Sequence, residues 1–304
     1  MIETLEQAKS IPARWKADLA LALIALAWGT TFVVVKQALT EISTLYFLAL
    51  RFALASLCLL PILIRPFREE RSRLWPGLRG GAIAGLFLWL GYILQTFGLK
   101  YTTAGNSGFL TGLYIVFVPI ISAIFYQRWP QYLELIGIAT AGAGMVLLTL
   151  PSLDRNFHLN RGDLLTIGCA IAFSFHLLVL GYFSQRERFE AVALGQIACV
   201  ALLSFAGLPW DPPRAHWSSS LVLALVLTGL FATALAFVLQ TWAQQYTTAT
   251  RAALIFALEP VFALATAVLI GGERTTLSAL LGGALILVGI LAVELKKPSE
   301  HKAA

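Results

Sequence analysis

A chain of 304 residues in which 58% are hydrophobic and only 12% charged does not use water as its main solvent. Ordinary soluble domains carry about 25% charged residues, and a mean hydropathy of +0.78 lies outside their range. The formal charge of +6 would suit a nucleic-acid partner if its Lys and Arg formed a patch, but they fall in loops and tails, so none is expected.

Ten apolar segments can be marked, at roughly 18–37, 43–64, 78–99, 104–126, 131–150, 163–184, 190–208, 219–243, 249–270 and 275–295. Each is near the ~20 residues that cross a ~30 Å hydrocarbon core. The runs are continuous rather than alternating, which excludes a β-barrel. Short connections force neighbouring helices to run antiparallel. The first segment carries Trp28 near its middle and Lys36, read as an interfacial anchor, at its end. Arg51 lies inside the second, Trp89, Tyr92 and Gln95 in the third, Tyr114 and Pro119 in the fourth. The fifth has a small-residue face around Gly137 and Ala141, and the sixth holds His176. Gln240 lies in the eighth, Glu259 and Pro260 in the ninth, and a second small-residue face around Gly282 in the tenth. These two faces are expected to buttress the interior rather than to form a dimer. Cys58, Cys169 and Cys199 all fall within apolar runs and read as reduced packing residues. Metal-ligand spacing and nucleotide-binding loops are missing, so no metal and no cofactor are expected. Glu3 and Glu6, with no small-residue cleavage site after the first run, argue against a cleaved signal peptide.

The chain is written twice. Leu94–Ala104 reads LQTFGLKYTTA and Leu239–Ala249 reads LQTWAQQYTTA, with seven of eleven positions identical at an offset of 239 − 94 = 145. The same offset carries Asp18 onto Asp163, Phe117 onto Phe262, Gly137 onto Gly282 and Gly144 onto Gly289. A period this long marks a duplicated domain, here 1–150 and 151–304. Five crossings is an odd number, so the second copy must enter the membrane from the opposite side. The expected fold is an all-α membrane protein, ten transmembrane helices as two inverted five-helix repeats around a central cavity. Placing the N-terminus in the cytoplasm puts fifteen Lys and Arg on that side and six on the other, so both termini are expected inside. Trp15, Trp75, Trp129, Trp210 and Trp217 sit at segment ends, as interfacial anchors do.

Trp28-Gly29-Thr30-Thr31-Phe32, followed by Arg51-Phe52, resembles the opening signature of the drug/metabolite transporter superfamily, and more narrowly its ten-helix EamA-type exporters. Leu258-Glu259-Pro260-Val261-Phe262-Ala263 resembles that family's second-repeat signature, as does Gly272-Glu273-Arg274-Thr275 followed by Gly282-Gly283-Ala284 and Gly289. The likeness runs from about Asp18 to Leu295. The first copy departs from it with Arg128-Trp129-Pro130 in place of the acidic loop word, and with Tyr114 opposite Glu259. The resemblance implies export across a bacterial-type inner membrane by alternating access. An aromatic-lined centre resembles the branch that exports aromatic and large neutral amino acids; export of drugs or other metabolites on the same fold is the alternative. The implied partners are a small-molecule substrate and the lipid bilayer, with the chain a monomer or a weak homodimer.

Counted inward at ~1.5 Å per residue, Trp28, Trp89, Tyr114, His176 and Glu259 fall at a common mid-membrane depth, and Tyr92 follows Trp89 by three residues. These six are the candidate substrate-binding residues. The Trp and Tyr rings offer stacking faces, with plain packing as the other reading. A carboxyl at the bilayer centre costs roughly 2.5–3.5 kcal/mol, so Glu259 is expected to meet a proton, a substrate amine or a neighbouring helix. His176 either changes charge or joins two helices. Arg51 either snorkels or pairs structurally, or meets a substrate carboxylate. Gln95 and Gln240, repeat partners, are candidate gates at opposite mouths. Pro119 and Pro260 are candidate hinges; Pro260 aligns with Ile115, so their kinks are expected one helical turn apart in depth.

One motif points to chemistry instead. Gly105-Asn106-Ser107-Gly108 fits the G-x-S-G pattern of intramembrane serine proteases, with His176 as a candidate base. Their depths differ by roughly 15 Å at ~1.5 Å per residue, too far for a nucleophile and its base, so the expected class is not an enzyme.

Overall fold

The computed structural model describes residues 11–64, 71–127, 129–149, 160–269 and 275–294. The expected boundary at 150/151, both tails, and the loop words at Arg128 and Glu273-Arg274 lie outside them. All regular structure among the described residues is helical: α1 (Ile11–Ala38), α2 (Thr44–Ile64), α3 (Arg71–Gly98), α4 (Ala104–Thr111), α5 (Tyr114–Tyr126), α6 (Tyr132–Thr149), α7 (Arg161–Ser184), α8 (Phe189–Ala206), α9 (Ser219–Gly229), a π-helical turn (Leu230–Leu235), α10 (Ala236–Ala243), α11 (Ala249–Phe256), α12 (Glu259–Leu269) and α13 (Leu277–Glu294). Among the described residues eight stretches are long and apolar enough to cross a membrane, and Tyr132–Leu148 and Leu277–Val293 are shorter apolar helices. These two correspond end to end under the 145-residue shift.

Side-chain caps start several helices. Thr103 accepts from the Asn106 N–H and Thr248 from the Arg251 N–H. Both are the second Thr of the repeated Tyr-Thr-Thr-Ala word, so that word survives in both copies as a helix start. Asn160 and Asp163 form a reciprocal capping box at α7. The N-terminal ends of α1 and α3 run about one turn or more beyond the apolar segments, with Trp15 and Trp75 exposed in these extensions. Hydropathy falls at such an end while helical bonding continues through the interfacial zone.

Three expected single helices are interrupted. The fourth tightens to i+3 bonding at Gly112-Leu113, and the ninth at Ala257-Leu258. The two breaks are repeat-equivalent, 112 + 145 = 257, and so lie at one depth rather than one turn apart. Pro260 sits in the first turn of α12, directly after the second break; its equivalent at the first break is Ile115, and Pro119 lies inside α5, which continues past it. The eighth is interrupted by the π turn, whose equivalent at 85–90 stays α-helical.

Glycines set the closest helix contacts. Gly77, Gly81 and Gly85 of α3 lie against Ala191, Gly195 and Gln196 of α8, while Gly98 and Gly80 of α3 meet Gly162 and Phe183 at opposite ends of α7. So α3 runs parallel to α8 and antiparallel to α7. In α6 and α13, a Cβ on Gly144 would fall 2.6 Å from the Gly282 carbonyl, and one on Gly137 would fall 2.7 Å from the Gly289 carbonyl. The 145 shift exchanges these two contacts, and the small-residue faces do buttress the interior. Gly282→Val would drive a side chain onto the Leu148 N, 2.4 Å from an ideal Cβ. Overpacking of this kind costs about 1–3 kcal/mol, so the melting temperature in detergent should fall by about 5 °C. Gly142→Val, facing open space, should leave it unchanged.

Two apolar clusters fill the interior, one built largely by α2, α3, α8 and the α9–α10 stretch, the other largely by α1, α4–α7 and α11–α13. Trp28 and Phe173 pack against both. On one face a loop staple closes over α2: the Ser43 N–H donates to the Arg214 carbonyl, the His216 N–H to the Glu41 carbonyl, and the Leu45 N–H to Asp211. The Ser218 and Ser220 hydroxyls hold the Glu41 carboxyl below its ordinary pKa.

Candidate functional site

Between the clusters lies a cavity. Its walls are the mid-depth side chains of both repeats, and the repeat offset governs which ones. Trp28, Thr31, Phe32, Tyr92, Gln95, Thr111 and Tyr114 line it from the first copy. Phe173, His176, Leu177, Phe237, Gln240, Phe256 and Glu259, each 145 residues later, line it from the second. Every second-copy wall residue is the counterpart of a first-copy wall residue.

The closest such pair touches. The Tyr114 hydroxyl donates to Glu259 Oε1 at 2.8 Å, and both side chains are buried. Tyr114 opens α5 and Glu259 opens α12, so the two helix interruptions deliver these groups to one point. Glu259 stands at a helix N-terminus, where the unpaired N–H groups and the dipole favour negative charge.

Across the cavity Arg51 is buried at 3% exposure. Its Nε donates to Thr233 Oγ1 at 2.7 Å, and its Nη2 to the Ala232 carbonyl at 3.3 Å and the Tyr92 hydroxyl at 3.4 Å. The guanidinium also lies over the rings of Tyr92 and Phe52, at 5.1 and 5.6 Å. No carboxylate pairs with it among the described residues. The π turn supplies two of these acceptors, Thr233 Oγ1 and the Ala232 carbonyl. Thr233 bonds back to the Thr228 carbonyl five residues earlier, leaving the Ala232 carbonyl turned inward, where Trp28 Nε1 also donates at 2.9 Å. π turns recur at functional positions because they re-aim backbone groups in this way. The Trp28 indole is fixed besides by Phe256 and Phe237, at 5.0 and 5.5 Å.

At the cavity floor His176 Nε2 meets Gln196 Oε1 at 2.7 Å, and Gln196 Nε2 donates to Thr241 Oγ1 at 2.9 Å. Thr241 spends its own proton on the Phe237 carbonyl, so it must accept from Gln196. This leaves the Gln196 oxygen for the histidine and places a proton on His176 Nε2. Gln95 Nε2 donates to Thr111 Oγ1 at 3.1 Å, whereas Gln240 Oε1 is buried without a hydrogen-bond partner.

Of the six candidate binding residues, the structure brings Trp28, Tyr92, Tyr114, His176 and Glu259 to the cavity and leaves Trp89 out. Trp89 packs against the first cluster with its Nε1 unpartnered. The wall of α3 is Leu88, Tyr92, Gln95, Thr96 and Leu99. Each i+3 step turns back about 60° at about 100° per residue, so Trp89 sits roughly 120° from Gln95 and faces elsewhere. Both glutamines line the cavity and neither proline does. Sequence reasoning missed Gln196 and the π turn. Gln196 could have been noticed as a lone amide in an apolar run; the π turn leaves no hydropathy signal. Ser107 is buried with no hydrogen-bond partner and is not a wall residue, so it does not pair with His176.

Comparison with known proteins agrees with this arrangement. The model of the EamA-like transporter family matches twice, at residues 15–150 and 160–295. The chain is 35% identical over 283 residues to an uncharacterized transporter of Archaeoglobus fulgidus, covering 93% of this chain and 87% of that one. It is 25% identical over 285 residues to the uncharacterized transporter YoaV of Bacillus subtilis, covering 90% and 95%. A solved crystal structure superposes with a TM-score of 0.74 at 22% identity, over 93% of this chain and 97% of the other, which speaks to the fold alone. Two matches one repeat apart, with a relative above 30% identity along nearly the whole length, make this multi-pass membrane protein a member of the EamA-like transporter family.

Proposed function

We propose that this protein exports small metabolites across a bacterial-type inner membrane by alternating access, as a secondary or facilitative carrier, with aromatic and large neutral amino acids as its substrate class. One observation carries the reading: a single cavity, walled by repeat-equivalent residues, holds a guanidinium and a carboxyl that do not pair with each other. Arg51 suits a substrate carboxylate, since its fork matches that group bidentately. Glu259 suits the ammonium, and Trp28, Tyr92 and Phe237 offer aromatic faces for the side chain between them.

Ten crossings in two inverted five-helix lobes, 1–150 and 151–304 with both termini cytoplasmic, fit this role. Lys36 at the end of α1 bonds the Thr102 carbonyl just beyond α3, so α1 and α3 end on one face. The counterpart of α1 is α7, which runs antiparallel to α3. Opposed lobes can exchange conformations and present the cavity to either side in turn, with Gln95 and Gln240 at the two approaches.

Counterflow of labelled substrate in proteoliposomes, run over an amino-acid panel with and without a pH gradient, tests the proposal; a panel with no exchange would refute it. Glu259→Gln keeps an acceptor for Tyr114 and removes the group able to ionise beside an ammonium. Hydrogen bonds to charged groups contribute about 1.5–3 kcal/mol, so the variant should lower phenylalanine exchange roughly 10- to 100-fold. Exchange of the analogue lacking the amine should change little. Equal losses for both would remove Glu259 from amine recognition.

A further inference from the structure

The cavity is not symmetric, and the difference has a definite chemistry. Five wall residues of the first copy have no counterpart in the wall: Val35, Arg51, Leu88, Thr96 and Leu99. Their equivalents, Leu180, Gln196, Thr233, Thr241 and Gln244, are all at 0% exposure. Val35 and Leu99 lie at the ends of α1 and α3, so the cavity reaches toward that face. Leu180 lies near the end of α7, which the contacts of Gly80 and Gly98 place on the opposite face. The first-copy five are themselves buried, at 1–7% exposure, but they border the cavity and their second-copy equivalents do not.

The packed side is held by hydrogen bonds that its counterpart does not make. Gln196 bridges His176 and Thr241, and Gln244 Nε2 donates to the Leu177 carbonyl at 3.0 Å. The equivalents of His176, Gln196 and Thr241 are Thr31, Arg51 and Thr96. There Thr31 bonds, among the described residues, within its own helix to the Trp28 carbonyl, and Arg51 reaches away to Thr233 and Ala232 on the π turn.

We propose that these two equivalent triads are the gates of the cavity: His176–Gln196–Thr241 holds one face shut in this state, and Arg51 shuts the other by leaving the π turn for Thr31 and Thr96. The inference rests on the alternating-access reading and names the side chains that perform it. Each gate is a central residue on the second helix of its repeat, joining the first helix to the third. Arg51 cannot give the same hydrogens to the π turn and to Thr31 and Thr96, so its gate stays open while it holds Thr233 and Ala232.

Thiol labelling tests this without a transported substrate. In a background with Cys58, Cys169 and Cys199 replaced by serine, single reporters Val35→Cys and Leu180→Cys are labelled with a small maleimide in proteoliposomes. Val35→Cys should react rapidly and Leu180→Cys slowly. Adding Gln196→Ala removes both hydrogen bonds of the closed gate, so Leu180→Cys labelling should rise roughly 30-fold while Val35→Cys labelling falls. Gln196→His, able to bond both neighbours, should restore much of the original pattern. Unchanged rates would overturn the gate, and so would a parallel rise at both reporters, which signals a loosened fold. Reciprocal labelling in a protein that fails counterflow keeps the gates and discards only the transport reading. Exchange that proceeds with labelling unmoved by Gln196→Ala discards the gates and keeps the carrier.

Discussion

Replacing Gly29 by valine is expected to abolish transport while leaving most of the helices formed. An ideal Cβ at Gly29 would stand 2.4 Å from the Glu259 carbonyl oxygen, 3.2 Å from its carbon and 3.3 Å from the Ala263 nitrogen. All three are backbone atoms at the start of α12, so no side chain can rotate out of the way. The neighbouring Trp28 is pinned to the Ala232 carbonyl on its other side, which stops α1 from simply backing off. Relief therefore has to come from α12, and α12 carries Glu259, whose carboxyl must stay within reach of Tyr114. Overpacking costs about 1–3 kcal/mol in stability, but an error of about 1 Å at a recognition group costs roughly 100-fold in turnover. Gly29→Ala should thus lower exchange about tenfold and Gly29→Val remove it, measured as initial rates in proteoliposomes against melting temperature in detergent. Gly142→Ala, with nothing within 4 Å of its Cβ, is the matched control and should behave as the parent. The equivalent of Gly29 is Ser174, fully buried with its hydroxyl bonded to the Ala170 carbonyl, so the second copy accepts a side chain there. The close approach belongs to the first copy alone. A Gly29→Val protein that exchanges at half the parent rate or better would show that α12 need not be held there.

What the sequence made legible was whatever depends on solvent and on copying. Apolar runs near 20 residues mark helices because an unsatisfied backbone group in hydrocarbon costs several kcal/mol. The 145-residue offset makes Tyr114 the equivalent of Glu259 and Gln95 the equivalent of Gln240. What stayed hidden depends on helix phase and on bonding register. Trp89 has the right depth but the wrong azimuth, a difference of one residue from Leu88. The interruptions at Gly112 and Ala257 and the π turn at Leu230–Leu235 replace one hydrogen-bond register by another without altering hydropathy. Pro119 and Pro260 are visible in the sequence, whereas a change of bonding pattern is not. Arg51 was visible but ambiguous, since a lone guanidinium in an apolar run fits a snorkelling anchor as well as a buried clasp. Only the 3% exposure and the inward Ala232 carbonyl separate the two.

The other large effect is expected at Arg51, where two substitutions should part company. A buried guanidinium without a carboxylate partner is costly, and here it is held by neutral oxygens and ring faces beside an open cavity. Such a charge is primed for an anion that arrives and leaves. Arg51→Gln installs the residue that stands at the equivalent position 196, so it retains an amide able to bond Thr31 and Thr96 across the mouth. It loses the charged fork, whose bonds to a carboxylate contribute about 1.5–3 kcal/mol. Exchange of free phenylalanine should therefore fall by roughly 10- to 100-fold, while exchange of phenylalanine amide, which has no carboxylate to lose, should persist. Arg51→Ala removes both the charge and the bonding group and should stop exchange of both compounds. Arg51→Lys keeps the charge but not the planar fork, so its rate for free phenylalanine should fall between the parent and the glutamine variant. If glutamine and alanine depress both compounds alike, with melting temperatures lowered in step, then Arg51 acts by bracing α2 against the π turn. If glutamine spares the amide and alanine does not, one side chain both recognises the carboxylate and closes the path behind it. Arrival of the substrate anion would then be coupled to release of the guanidinium from Thr233, because the same donors cannot serve the π turn and the substrate at once.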